Sequence, residues 1–228
     1  MKVFKFAILI SLITFSFDLV SCTESDSDYL DAKPDSYEEY NQTEDSDLEN
    51  SDYNILFVGN SLTYSNDLPS LVKEKAQKIG INLGIKRIAK ANYALIDHWD
   101  DGLMQKEIKT GLFDYIIVQQ GPSSQPYGGQ ILLEYGQKIK ILGNKYGTKL
   151  VYFMVWPSRE YYHTFDGVIQ NHERAATANE AILCPVGKVW KAHFDATNEF
   201  DYYGSDGFHP SLKGSTVAAD VIVATLFE

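Results

Sequence analysis

The stretch Asn54-Ile55-Leu56-Phe57-Val58-Gly59-Asn60-Ser61-Leu62-Thr63 governs how the rest of the chain is read. A short unbroken apolar run that stops at a glycine is the pattern of a strand buried on both faces. Such strands belong to parallel sheets covered by helices on either side. Gly59 permits a tight turn at the strand's end. A serine placed there, ahead of a helix, can point its hydroxyl into a cleft. The unsatisfied N–H groups of the helix's first turn then lie close by. Taken alone, Asn60-Ser61 also reads as a plain helix cap.

Working outward, the same alternation recurs. Helical apolar spacing over residues 68–79 stops at Gly80, and 81–88 is strand-like. A helix is expected over 95–108, with Gly111 after it, and a second buried strand over 115–118. Residues 131–142 read as helix, and 150–155 as a third buried strand stopped by Pro157. Helix is expected over 169–183, a short final strand over 186–190 and a closing helix over 211–227. Strands alternating with helices imply an α/β domain with a central parallel sheet, covered on both sides. In open sheets of this kind ligands bind beyond the carboxyl ends of the strands. Three polar clusters fall there: Gly59-Asn60-Ser61, Gln119-Gln120-Gly121, and the aromatic-rich stretch from Trp156 to His163.

Near the other end stands Asp206-Gly207-Phe208-His209-Pro210. A carboxylate three residues before an imidazole, on one short turn, can accept from one ring nitrogen and leave the other for a partner. A serine hydroxyl is a weak nucleophile until a base lies within hydrogen-bond reach and a third group orients that base. Ser61, His209 and Asp206 supply those three roles.

Together these segments resemble the SGNH (GDSL-like) hydrolase superfamily. Residues 55–63 are similar to its first block, which carries the nucleophile, and residues 206–214 to its fifth, which carries the acid and the base. The resemblance spans about residues 53–228 with the blocks in order. It implies a three-layer α/β/α flavodoxin-like sandwich and a serine esterase acting on O-acyl, above all O-acetyl, esters of carbohydrate, with no cofactor and no metal. It also implies an oxyanion hole. The Ser61 N–H is one donor. The second block is matched by Ala91-Asn92-Tyr93-Ala94-Leu95, without its usual glycine, so the Asn92 N–H is the second. The third block usually offers an Asn side chain, and here Gln120 stands in its place. Some carbohydrate acetylesterases of the superfamily have a similar Gln-Gly pair. The departures in the middle blocks leave open a second reading, a catalytically impaired glycan-binding surface protein on the same scaffold.

Further candidates for the substrate site are Asn60, His98, Gln119, Trp156, Arg159 and Tyr161. The aromatic members could stack on sugar rings, pack as a lid or belong to the core. The five histidines form no His-Glu-x-x-His, since Ala176 follows His172-Glu173 at the critical spacing, and no cysteine pair is present for zinc. No glycine-rich phosphate loop occurs, which argues against a flavodoxin-like nucleotide binder.

The chain of 228 residues carries a formal charge of −11, but unevenly. Residues 23–52 alone hold −11 and residues 1–22 hold +1, which leaves 53–228 at −1. The folded part is close to neutral, with no basic face for nucleic acid. Residues 1–22 read as a signal segment: Lys2 and Lys5 precede an apolar run, and Leu19-Val20-Ser21-Cys22 resembles a bacterial lipobox. Cys22 would then be lipidated and the protein exported and anchored to a membrane or cell surface. Residues 23–52 are expected to be a disordered acidic linker. Cys184 is left as a small buried thiol.

Overall fold

The computed structural model describes residues 46–228, with side chains from Leu48 onward. The expected signal segment, Cys22 and the acidic stretch up to residue 45 lie outside the described residues. The last seven residues assigned to the linker are ordered against the domain. Ser46–Glu49 form one helical turn, α1. Leu48 is buried among the core side chains, and its carbonyl accepts from Asn54 Nδ2 at 3.0 Å.

Five parallel strands run in the order β2-β1-β3-β4-β5. They are β1 (Tyr53–Gly59), β2 (Leu83–Ala89), β3 (Tyr115–Val118), β4 (Lys149–Phe153) and β5 (Ile182–Cys184). Side chains alternate across the sheet as a period of two requires. Ile55, Phe57, Ile117, Val151 and Phe153 enter one core, packed by α3 (Leu68–Lys78), α8 (Val186–Thr197) and α9 (Leu212–Phe227). Leu56, Val58, Ile116, Val118 and Tyr152 enter the other, packed by α4 (Leu95–Asp101), α5 (Leu103–Ile108), α6 (Pro126–Tyr146) and α7 (Phe165–Ala178). This is the expected three-layer α/β/α arrangement.

The chain leaves β1 toward β2, then crosses back to place β3 on the other side of β1. The reversal opens a crevice at the carboxyl ends of β1 and β3, where open α/β sheets bind their ligands. Residues 61, 92 and 120 all follow strands at that edge.

Two expectations are corrected. The helix over 95–108 is two helices, α4 and α5, broken at Gly102 with φ 77°, a conformation that ends helices. Residues 186–190 are not a strand but the start of α8, and the last strand is β5, which overlaps the end of the segment expected as helix. Val186, Trp190 and Phe194 recur every fourth residue and all three are buried, whereas Val189 is 38% exposed. That is a helical stripe. As a strand it would have turned Lys188 inward beside Val186 and Trp190. Cys184 is buried, and burial pushes its thiol up to about 12, so it is inert.

On α7, His172 is fully buried. Its Nδ1–H donates to the Val168 carbonyl at 2.8 Å, and Nε2 has no partner among the described residues. Burial lowers its pKa from 6.5 to about 4. The unfolded chain therefore binds a proton between these two pH values that the folded chain refuses, and stability falls as pH drops through that window. The loss should reach about 3 kcal/mol between pH 7.5 and 4. Urea unfolding across that range should show it, and His172→Leu should flatten the slope by that amount. A variant with an unchanged slope would contradict the assignment.

Candidate active site

Ser61 opens α2 (Ser61–Tyr64) immediately after β1. The turn that presents it is tied down on every side. Asn60 Oδ1 accepts from the Leu62 N–H at 3.1 Å and so caps the helix. The Asn60 N–H donates to Gln119 Oε1 at 2.9 Å, and the Thr63 hydroxyl donates to the same oxygen at 2.8 Å. Asn60 Nδ2 reaches the Tyr93 carbonyl at 3.0 Å, which binds the loop after β2 to the serine turn. His98 Nε2–H donates to the Gly59 carbonyl at 2.8 Å. Gly59 has no room for a side chain: an added Cβ would lie 2.2 Å from Thr63 Oγ1 and 2.6 Å from Gln119 Oε1.

The loop before α9 brings the second half. Asp206 Oδ1 accepts from the backbone N–H groups of Phe208 and His209, both at 2.9 Å. Its Oδ2 accepts from His209 Nδ1 at 2.6 Å. These donors, the imidazole first, hold the Asp206 carboxyl below the usual carboxylate range. A carboxylate can only accept, so Nδ1 carries the ring proton and Nε2 is left as an acceptor. Ser61 Oγ lies 3.0 Å from that nitrogen. The loop's own carbonyls are fastened as well: Gly207 to the Arg159 N–H at 2.8 Å, Phe208 to the Trp156 indole N–H at 3.0 Å, and His209 to the Gly204 N–H at 2.7 Å.

Ser61 opens on a cleft of about 320 Å³, walled by residues 60–61, 92–94, 120–123, Gly128 and Phe208. The Ser61 N–H, in the first turn of α2, has no intrahelical acceptor. Asn92 is held at φ 62° on the neighbouring wall.

No protein-family model and no curated protein matches the chain. Solved structures do. A structure assigned to the SGNH hydrolases, from Slackia heliotrinireducens, superposes with a TM-score of 0.62 at 21% identity, covering 76% of this chain and 98% of its own. The chain has the SGNH hydrolase fold. A GDSL-like lipase assignment from Parabacteroides merdae gives a TM-score of 0.61 at 15% identity, covering 77% of this chain and 95% of that one. An acetylxylan esterase from Geobacillus stearothermophilus, solved as a catalytic mutant, gives 0.59 at 12%, covering 78% and 95%.

Within the SGNH fold the other expected site residues take mixed positions. Gln120 lines the cleft, but both N–H groups of its amide are engaged, by Ser123 Oγ at 2.8 Å and the Gly128 carbonyl at 3.2 Å. Its Oε1 accepts from the Leu95 N–H at 3.2 Å. As arranged it presents no free donor to an oxyanion. Gln119 and His98 are buried beneath the serine turn and do not line the cleft. Burial lowers the His98 pKa, which keeps it a neutral donor to Gly59. Asn60 lines the cleft as a cap and a tie to Tyr93, with its Oδ1 and one N–H of its amide engaged. Trp156 is fully buried and stacked on Trp190 with ring centroids 3.5 Å apart, so it offers no face to a sugar. Its role is to hold the Phe208 carbonyl. The Arg159 guanidinium lies over the Phe200 ring at 4.6 Å, and Tyr161 is 55% exposed. Neither lines the cleft.

Phe208 and Gly128 line the cleft without having been singled out in the sequence. The position of Phe208 between Asp206 and His209 was the available signal, and Gly128, inside α6, carried none. Among the described residues one trio of metal-capable side chains lies within 4.8 Å, His193, Glu199 and Asp201. There Asp201 already bonds His193 and Lys213.

Proposed function

We propose that the chain is a serine ester hydrolase that cleaves O-acyl esters, with O-acetyl groups on carbohydrate as its substrates. The observation that carries this reading is the continuous line from Asp206 through His209 to Ser61 Oγ, ending in an open cleft. Ser61 attacks the ester carbonyl while His209 Nε2 takes its proton. Asp206 holds the ring in the tautomer that can accept and steadies the imidazolium that forms. The N–H groups of Ser61 and Asn92 bind the oxyanion. Gln120 joins them only by exchanging one of its two donated bonds, which makes it the least prepared of the three. His209 then protonates the leaving alcohol, and water repeats the sequence on the acyl-enzyme. The occurrence of an acetylxylan esterase among the structures sharing the fold supports the carbohydrate substrate. A lipid on Cys22 would hold the enzyme at a membrane or cell surface, with the acidic segment as tether.

The engaged Gln120 amide favours one rival, a glycan-binding surface protein with an impaired catalytic site. A fluorophosphonate probe separates the two. The folded native chain should become covalently labelled at Ser61, and Ser61→Ala should not label. A native chain that stays unlabelled sinks the hydrolase reading and leaves the binding one.

A further inference from the structure

Gly121 lines the cleft directly after Gln120, and neither its φ nor a close neighbour requires a glycine there. Its φ is not in the left-handed region, unlike those of Gly102, Gly147 or Gly207. Nor does a neighbour demand it. An added Cβ at Gly59, Gly136, Gly143, Gly187 or Gly214 would meet another atom at 2.5 Å or less, and at Gly128 it would meet Ser123 at 3.0 Å. At Gly121 an added Cβ meets nothing within 4 Å. The backbone there would accept a side chain, and the space in front of it is open.

The two sides of the cleft have different tasks. Phe208 and His209 come from the face of the sheet packed by α9, since Phe208 packs on that core. The Gly128 side belongs to α6, whose Ile131 and Leu132 enter the opposite core. The base must reach the leaving oxygen, so the alcohol lies on the His209 side. With the carbonyl carbon at Ser61 Oγ, the acyl group extends the other way, toward Gly121 and the start of α6.

We infer that Gly121 is a specificity-determining residue that keeps the acyl side of the cleft open to chains longer than acetyl. The inference rests on the ester hydrolase reading. Acetyl is then not the limit of what the site takes. A side chain at 121 would occupy the room that the third and later carbons of the acyl group need.

The experiment is a series of p-nitrophenyl esters from acetate to octanoate, run on the native chain, Gly121→Ala and Gly121→Leu. The native chain should cleave the hexanoate. The ratio of kcat/KM for hexanoate to that for acetate should fall several-fold in Gly121→Ala and about 100-fold in Gly121→Leu, because excluding each methylene from an apolar site costs roughly ten-fold or more. Gly121→Ala adds one methyl in open space and keeps the test alive if the leucine variant folds poorly. A native chain that cleaves acetate but not hexanoate overturns the inference. So does an unchanged ratio in both variants. Failure of the hydrolase reading looks different: no ester of the series is cleaved and Ser61 takes no fluorophosphonate.

Discussion

Asp206→Asn should slow hydrolysis of an acetyl ester by about 10⁴-fold in kcat, by analogy with the same exchange in other serine triads, and leave the fold intact. The carboxylate accepts three hydrogen bonds, two from backbone N–H groups at Oδ1 and one from the imidazole at Oδ2. An asparagine will keep its carbonyl oxygen where the two backbone donors need an acceptor. Its NH₂ then faces His209 Nδ1. That nitrogen must become the acceptor, the ring proton moves to Nε2, and the atom 3.0 Å from Ser61 Oγ can no longer take a proton. The loop is unchanged because its carbonyls remain fastened to Trp156, Arg159 and Gly204. Thermal unfolding should accordingly move little while kcat collapses. A loss below ten-fold would mean that Asp206 does not set the tautomer.

Gly59→Ala should damage stability and activity together. Its Cβ would overlap Thr63 Oγ1 and Gln119 Oε1. Neither atom can give way cheaply, because the Gln119 oxygen is also the acceptor for Thr63 and for the Asn60 N–H, all of it buried. Parting this network leaves buried polar groups unpaired on top of the steric strain. The expected cost is about 3 kcal/mol or more, a fall in melting temperature of about 10 °C for a domain of this size. Displacing the turn by a few tenths of an ångström also misplaces Ser61, and activity at a temperature where the variant is folded should drop about 100-fold. A melt within 2 °C of the native one would show that the network yields (about 1 kcal/mol or less).

Much of this architecture is legible before any coordinates. Ile55 to Val58 and Tyr115 to Val118 bury every side chain, so hydrophobicity alone marks them as interior strands. The placement of Ser61, Asn92 and Gln120 follows from the rule that polar segments after such strands share one edge. What sequence patterns miss is decided between distant residues. Trp156, Arg159 and Tyr161 form an aromatic and cationic cluster in sequence. Only the arrival of Trp190 from α8 and the Phe208 carbonyl from the loop between Asp206 and His209 makes Trp156 a support and not a sugar platform. Gln119 and Gln120 are adjacent and chemically identical. Their roles differ because one amide meets Asn60 and Thr63 while the other meets Leu95, Ser123 and Gly128. The 186–190 strand was misjudged for a local reason: five residues are too few to show that the apolar stripe continues to Phe194 at helical spacing.

The bond between His209 and Ser61 spans 148 positions of sequence, close to the full length of the domain. Contacts of that range come at the cost of ordering the chain between them. Here the ordering includes seating α9 against α3 and β5. A growing chain thus displays the serine turn long before the segment carrying His209 exists to reach it. On the proposed hydrolase reading, completion of the last helix is the step that brings a base to the serine, and a partly folded copy stays chemically silent until then.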